Sequence, residues 1–444
     1  MSMIERKTSF QPTGAAGWPI CLMPHWRGGA PVQANWWHRE ALLASDFLKG
    51  RFMRGGTEVA AAELLATTRA SSISLPDNRG VLQALGINAL PQTTRGLFPN
   101  GQVTNLIRYS EDLTFSNWTK DAVTLSPLHY RYFTKLVETE ANTVHGLRTS
   151  ASGSIAEGEV RRVSMDVKAA GRNSISIGGY SSFSVGSSLY VNLDDGSFTG
   201  GTNAKVTPLG DGIFRIETSG VGTANGTASV SIRFGDVGNY SYEGDGESGV
   251  LIGRVQMNAG DYFPFYVPTT SAAATTLASD IRTMPGERPS DSAAEPFPGW
   301  EAAGLDNGFT VLMDLNCADV APGTTRSPVG LYTVNNSRFI RMEIASGTWR
   351  VRSSPAEGAT NVNMPGGIAG GRIRAAVRFA DGVLSATQTG AASVASASAI
   401  APAPFTRLYV GNNATLAAPW NDWIYGLQIC PPLSDVELLD WVNA

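Results

Sequence analysis

From residue 109 onward the chain alternates apolar and polar positions. VRRVSMDVKA, SISIGGY, SLYVNLDDGSF, GIFRIETSG, ASVSIRFGD and GVLIGRVQM each show a period of two or a β-branched run. That is the pattern of a strand with one buried face. In GIFRIETSG, Ile213, Arg215 and Glu217 share one face, and Phe214 and Ile216 the other. In SVSIRFGD, Val230, Ile232 and Phe234 oppose Ser231 and Arg233. Between these runs lie LDDGS, LGDG and YEGDGES, where Gly supplies positive φ and Asp bonds its own backbone. Strands at this spacing without intervening helices predict an antiparallel sandwich or jelly roll over 109–280. A second strand-rich unit follows at 305–444, with Val311, Met313 and Leu315 on one face of its first strand. Asp381-Gly382 marks a hairpin turn there. The predicted fold class is mainly β, two antiparallel β-sandwich (jelly-roll) domains in tandem after an irregular N-terminal segment.

Two helices are predicted. In NWWHREALLASDFLKG (35–50), Trp36, Leu43 and Phe47 fall at i, i+7 and i+11, with Gly50 as a stop. In the tail, Ser434 and Glu437 form a capping box, followed by the apolar Leu438, Leu439 and Trp441. The stretch 278–300 concentrates Pro, Ser and charge and reads as a linker, and 390–404 as an exposed low-complexity connection. Five zones result: 1–60, an N-terminal segment; 61–108, a short β-rich connecting region; 109–280, a jelly roll; 281–304, a linker; 305–444, a second sandwich.

Composition narrows the function. Lys and Arg number 34 against 38 Asp and Glu, for a net charge of −4. A chain so close to neutral lacks the cationic footprint of a nucleic-acid binder. No apolar run is long enough to insert in a membrane. The opening MSMIERKTSFQPTG has no apolar core of a secretory signal, so a cytosol-like compartment or exit by another route is expected. Cys21, Cys317 and Cys430 lie too far apart for a disulfide framework or a zinc site. No HExxH, GxSxG or P-loop occurs. GDGESG (244–249) matches GxGxxG, but no crossover helix follows, and Asp245 and Glu247 would repel a pyrophosphate. It reads as an acidic turn, or as a Ca²⁺ site built from Glu243, Asp245 and Glu247; no other cofactor is implied. Asp194 and Asp195 read as a hairpin turn or as a glycosidase acid pair, and His129 and His145 as structural histidines. Trp420, Asn421, Asp422 and Trp423 form a candidate glycan-binding group, the alternative being that Trp423 and Tyr425 point into the core. Trp18, Trp26, Trp36 and Trp37, with Arg39, read either as a cap on the next zone or as a docking segment for another protein.

Residues 68–120 resemble a segment common in tailed-phage and prophage structural proteins. The shared elements are Arg69-Ala70-Ser71, Asp77, Gly80, Asn88, Pro91, Gly96-Leu97, Gly101, Thr104-Asn105-Leu106-Ile107, Tyr109-Ser110-Glu111-Asp112 and Asn117-Trp118-Thr119-Lys120. In those proteins the segment introduces a carbohydrate-binding-module-like jelly roll. That domain ends on a Gly/Asp-rich turn and a Tyr-x-Pro-Thr-Thr stretch, here Tyr242 to Gly246 and Tyr266 to Thr270. Where the common pattern has Trp-Gly-Ala-Gln, this chain reads Ile252-Gly253-Arg254-Val255-Gln256. Residues 305–444 look like a concanavalin/laminin-G-like sandwich. The resemblance implies a virion fibre or spike protein, on head or tail, assembled in the host cytoplasm. It implies binding to host cell-surface polysaccharide and docking on other virion proteins through the N-terminal segment. It implies a homo-oligomer, with a trimer favoured by analogy, and no catalytic residue. A tailspike depolymerase and a purely structural capsid or tail decoration are the alternatives.

Overall fold

The computed structural model describes residues 37–444 except 39, 70, 80–81, 131, 260–264, 277–279, 284–307, 318–324, 334–337, 355–357, 367–369, 400–404, 406 and 416–417. It is mainly β, built as two sandwiches. In the first, a six-stranded sheet runs Trp118–Asp121, Gly146–Ile155, Gly226–Gly235, Ser174–Ser181, Leu189–Asn192, Phe198–Thr199. It faces a seven-stranded sheet whose centre is Phe133–Glu138, Gly249–Ala259, Val160–Ala170 and Ile213–Gly222. Between them lie Val163, Met165, Val167, Phe214, Ile216, Val230, Ile232, Phe234 and Ile252. The alternation read from the sequence therefore sets the core face strand by strand. The Asp381-Gly382 turn also forms as expected: both residues take positive φ, 50° and 72°, between the paired strands Arg372–Ala380 and Val383–Gln388.

Strand pairing redraws the expected boundaries. The second sandwich takes strands from both sides of the first. Leu43–Asp46 pairs with Ile424–Cys430, and Arg51–Arg54 and Thr57–Val59 extend the same ten-stranded sheet. In the facing seven-stranded sheet, Leu65–Thr68 pairs with Asp280–Thr283, which joins Arg407–Val410. Residues 43–68 and 280–444 thus build one host lobe, whose ten-stranded sheet is completed by Gln92–Thr93 and Gly96–Leu97 against Ile424, and the jelly roll is inserted within it. A second ribbon, Val103–Asn105 with Ala274–Thr276, pairs the outgoing and returning chain at the base of the insert. The expected linker at 281–304 accordingly begins as a strand, and 395–398 of the expected exposed connection is an edge strand on Val383–Gln388.

The helix expected over 35–50 is not formed. Leu43–Asp46 is a strand, followed by a turn. Leu43 faces the core between the sheets, while Ala44 faces a second cluster with Trp37, Met53, Leu312, Cys430 and the tail helix. A strand covered on both faces carries no polar alternation, so its apolar run mimicked a helical stripe. The tail helix does form over Asp435–Asn443, with the Ser434–Glu437 capping box and Leu438, Trp441 and Val442 buried. Its Asp435 pairs with Arg378, and Arg374 donates to the Trp441 carbonyl.

The inserted lobe is braced by Glu138, whose side chain is fully buried. It accepts from Arg172 Nε (2.8 Å), Tyr242 Oη (2.6 Å) and the Asp245 amide (2.9 Å). Burial pushes this carboxyl upward, but Arg172, Tyr242 and the Asp245 amide outweigh it and hold it below the usual range. His145 is buried beside it, Nδ1 2.8 Å from the Ala122 carbonyl and Nε2 3.1 Å from that of Tyr242. Among the described residues no helix is long and apolar enough to cross a membrane.

Two predictions follow from this construction. Replacing 106–273 by a short flexible linker should leave a host lobe that unfolds cooperatively, since Asn105 and Ala274 are already cross-strand neighbours. Deleting residues 1–60 should instead abolish that transition, and retention of wild-type melting by the 61–444 chain would refute the assignment. Separately, Glu138→Gln should cost about 3 kcal/mol at pH 7 in urea unfolding. A carboxylate depressed in the folded state stabilises above its unfolded pKa of about 4.3 and loses that contribution as pH falls through the lower folded value. The gap between wild type and E138Q should therefore close on acidification; a gap independent of pH would show that Glu138 is not held ionised.

Candidate functional site

The outer face of the six-stranded sheet carries the exposed chemistry. Alternation along Ser174–Ser181 sends Ile175 and Ile177 inward and Ser174, Ser176, Gly178 and Tyr180 outward. On Gly226–Gly235, Ser229, Ser231 and Arg233 oppose the core residues Val230, Ile232 and Phe234. Leu189 and Val191 point inward, leaving Tyr190 outside. Cross-strand register aligns two rows. Arg148, Ser231 and Gly178 lie side by side, and so do Gly146, Arg233, Ser176 and Tyr190. A Cβ at Gly146 would lie 2.1 Å from the Ile232 carbonyl oxygen, so only glycine fits this close approach of two strands.

The result is a floor of serines, themselves buried, and glycines, with large side chains at its ends. Tyr180 is 50% exposed and Tyr190 43%. At one end Arg148 lies over the Tyr180 ring at 5.1 Å and makes a bidentate pair with Asp121 at 2.7 and 2.8 Å. That pair raises the guanidinium's pKa and spends its charge. At the other end Tyr190 and Tyr240 stand 5.5 Å apart, with Tyr240 Oη 2.6 Å from Ser174 Oγ. Burial raises the Tyr240 hydroxyl, so it remains a neutral donor and acceptor. Arg233 is exposed between the ends. Flat aromatic faces beside hydroxyls and a guanidinium can stack on the apolar face of a sugar ring and bond its hydroxyls without moving.

The residues proposed from sequence lie elsewhere. Trp420 is 1% exposed and sits in the host core beside Trp349. Trp423 is 6% exposed and contacts Phe98 at 5.0 Å in a cluster with Ile73, Leu75, Phe265 and Val267, where the two lobes meet. Asn421 Oδ1 accepts from the Gly101 amide at 2.6 Å, and Asp422 accepts from Asn316 and from the Trp423 amide. Asn421 and Trp423 fasten one lobe to the other while Trp420 and Asp422 are held within the host lobe, and neither ring offers a face to a sugar. The reading fails because a Trp-rich segment with interleaved polar residues looks the same at a domain junction as on a surface.

The acidic turn is also accounted for. Asp245 accepts from the amides of Glu247 and Ser248, which hold its carboxyl well below the usual range, and it lies 3.6 Å from Arg172. Glu243 and Glu247 are exposed. Among the described residues no group of three or more His, Cys, Asp or Glu could hold a metal, so the Ca²⁺ site is not assembled. Asp194 and Asp195 occupy the expected hairpin, Asp195 accepting from the Ser197 amide and Asp194 from Asn173. Trp37 is buried against Leu433 and Trp441 of the host lobe, which places it in a core and not in a docking segment. Trp18, Trp26, Trp36, Arg39 and the side chain of His129 lie outside the described residues.

A second polar cluster lies on the outer face of the seven-stranded sheet. Asp166, 1% exposed at its side chain, accepts from Tyr132 Oη (2.8 Å) and Arg215 (3.0 Å) and lies 3.4 Å from Arg254, whose guanidinium covers the Tyr132 ring. Burial and the Asp166 charge push the Tyr132 hydroxyl up. One carboxylate here serves two guanidiniums, and Glu111 acts on Arg254 through its charge as well. Two further buried carboxylates are similarly paired, Asp314 with Arg372 and Glu343 with Arg341 and Arg350.

Several polar residues of the 68–120 segment are structural clasps. Arg69, 1% exposed, donates to the carbonyls of Ser71 and Gly86 and exchanges bonds with Asn88 through its backbone. Asn105 donates to the carbonyls of Val255 and Val267, and Ser110 bonds Tyr266 and Thr269. The two ends of the inserted lobe are tied together by these contacts.

No family model and no curated protein matches the chain. Among solved structures it is similar to the CBM40 of a Ruminococcus gnavus IT-sialidase, at 14% identity over 33% of this chain and 89% of that one, with a TM-score of 0.28. It is similar to domains LG4-5 of the mouse laminin alpha1 chain, at 11% identity over 65% and 85%, with a TM-score of 0.23. For the LG1-3 region of the laminin alpha2 chain the identity is 12% over 67% and 66%, with a TM-score of 0.22. At such identities and TM-scores no family membership and no role follows from these likenesses.

Proposed function

We propose that this chain is a non-catalytic adhesive protein that binds carbohydrate on the outer face of its inserted sandwich. The carrying observation is the pair of exposed tyrosines, Tyr180 and Tyr190, set on a floor of serine and glycine. Exposed aromatics on rigid strands lose little entropy when a ligand stacks on them. We further propose that it serves as a fibre or spike of a tailed-phage virion, recognising polysaccharide on the host surface. The phage-like elements in 68–120 support that placement. Docking on other virion proteins through residues before Trp37, and assembly as a homo-oligomer, belong to the same proposal. Several copies would raise a weak per-site affinity through avidity.

Tyr180→Ala and Tyr190→Ala should each weaken binding on a polysaccharide array by about tenfold while leaving melting unchanged. Trp423→Ala should do the reverse, costing about 3 kcal/mol or more of stability as a core truncation. Glycan binding lost only with Trp423→Ala, or insensitivity to both tyrosines, would overturn the assignment of this face. Release of reducing ends from a bound polysaccharide would overturn the non-catalytic reading.

A further inference from the structure

We propose that the tyrosine-flanked face selects an acidic saccharide, a sugar chain whose carboxylate is taken by Arg233; this rests on the carbohydrate-binding reading above.

One charge on this face is left without a counter-ion among the described residues. Three ionisable side chains other than tyrosine stand on the aligned rows: Asp121, Arg148 and Arg233. Asp121 and Arg148 neutralise each other through two short bonds. Arg233 is exposed and has no carboxylate within ion-pair distance among the described residues. Asp236, three positions further along the chain, is held by Arg172 at 3.2 Å. The cross-strand neighbours of Arg233 are Gly146 and Ser176, both too short to shield a guanidinium. The face therefore carries one accessible positive charge on a chain whose net charge is −4. At physiological salt, charges more than about 8 Å away are largely screened, so a bound group senses Arg233 and not the chain's overall sign.

Position adds to charge. Tyr190 lies two strands from Arg233 in the same row, about 10 Å between Cα atoms, with Ser176 between them. A sugar stacked on Tyr190 beside Tyr240 would direct an acidic substituent, or the next residue's carboxylate, across Ser176 to the guanidinium. The planar fork of an arginine matches a carboxylate in two parallel bonds, a geometry that a lysine cannot supply.

The experiment uses the full chain on immobilised uronic-acid polysaccharides, each paired with its carboxyl-reduced neutral form, beside sulfated polysaccharides. Wild type should prefer an acidic member over its reduced partner by about tenfold or more. Arg233→Ala should erase that preference and Arg233→Lys restore only part of it, while Arg338→Ala, an exposed arginine on the host lobe, should leave it intact. Equal binding of acidic and reduced forms, or a preference that survives Arg233→Ala, overturns this inference and leaves the carbohydrate-binding reading standing. Binding that follows sulfate density and falls equally with Arg233→Ala and Arg338→Ala overturns carboxylate recognition. Failure of wild type to bind any of these polysaccharides overturns both.

Discussion

The architecture depends on antiparallel pairing between the chain leaving the host lobe and the chain returning to it. Leu65–Thr68 lies against Asp280–Thr283, and beyond them Val103–Asn105 lies against Ala274–Thr276. A long insertion is cheap when its ends are already adjacent, because closure entropy grows only slowly with loop length. The same pairing sets the orientation of the insert, with Phe98, Phe265 and Trp423 filling the space beside the ribbon. The Asn421–Gly101 bond and the cation of Arg95 over Trp423 finish that junction. The face bearing Tyr180 and Tyr190 is thus displayed by a lobe that is attached at two points.

Much of the fold was legible because an exposed or half-exposed strand declares its inner face. Phe214 and Ile216, or Val230, Ile232 and Phe234, could be assigned to the core from alternation alone. The tail helix was legible from Ser434 and Glu437, since a capping box is local chemistry. What escaped was anything decided by partners far away in sequence. Leu43–Asp46 reads as part of a helix until its partner, almost four hundred residues later, is known. The insertion is invisible for the same reason, because strand order is not written in any single segment.

The site shows a related asymmetry. Tryptophans drew attention, yet Trp37, Trp420 and Trp423 are all buried. A large ring buries much apolar area, so a tryptophan in the sequence is as much a core signal as a surface one. The exposed tyrosines were available to the same alternation argument: SISIGGYS sends Tyr180 away from Ile175 and Ile177, and LYVN sends Tyr190 away from Leu189 and Val191. Their signal was a tyrosine at the outward phase of a strand whose other outward residues are small. The buried carboxylates illustrate the opposite case. Glu138, Asp166, Asp314 and Glu343 hold arginines that fix strands to one another, and nothing local in the sequence distinguishes them from surface acids.

Trp37 and Trp441 share one cluster on the outer side of the ten-stranded sheet, with Met53, Leu312 and Cys430 between them. Residues close to the two extremes of the described chain therefore lie in the same region of the host lobe. A mechanical load entering near either tryptophan is borne by the hydrogen-bonded ladder of that sheet and closes there. The inserted sandwich hangs outside that line of force, and a pull on it reaches the host lobe through the two-stranded ribbon and the packed Phe98–Trp423 junction.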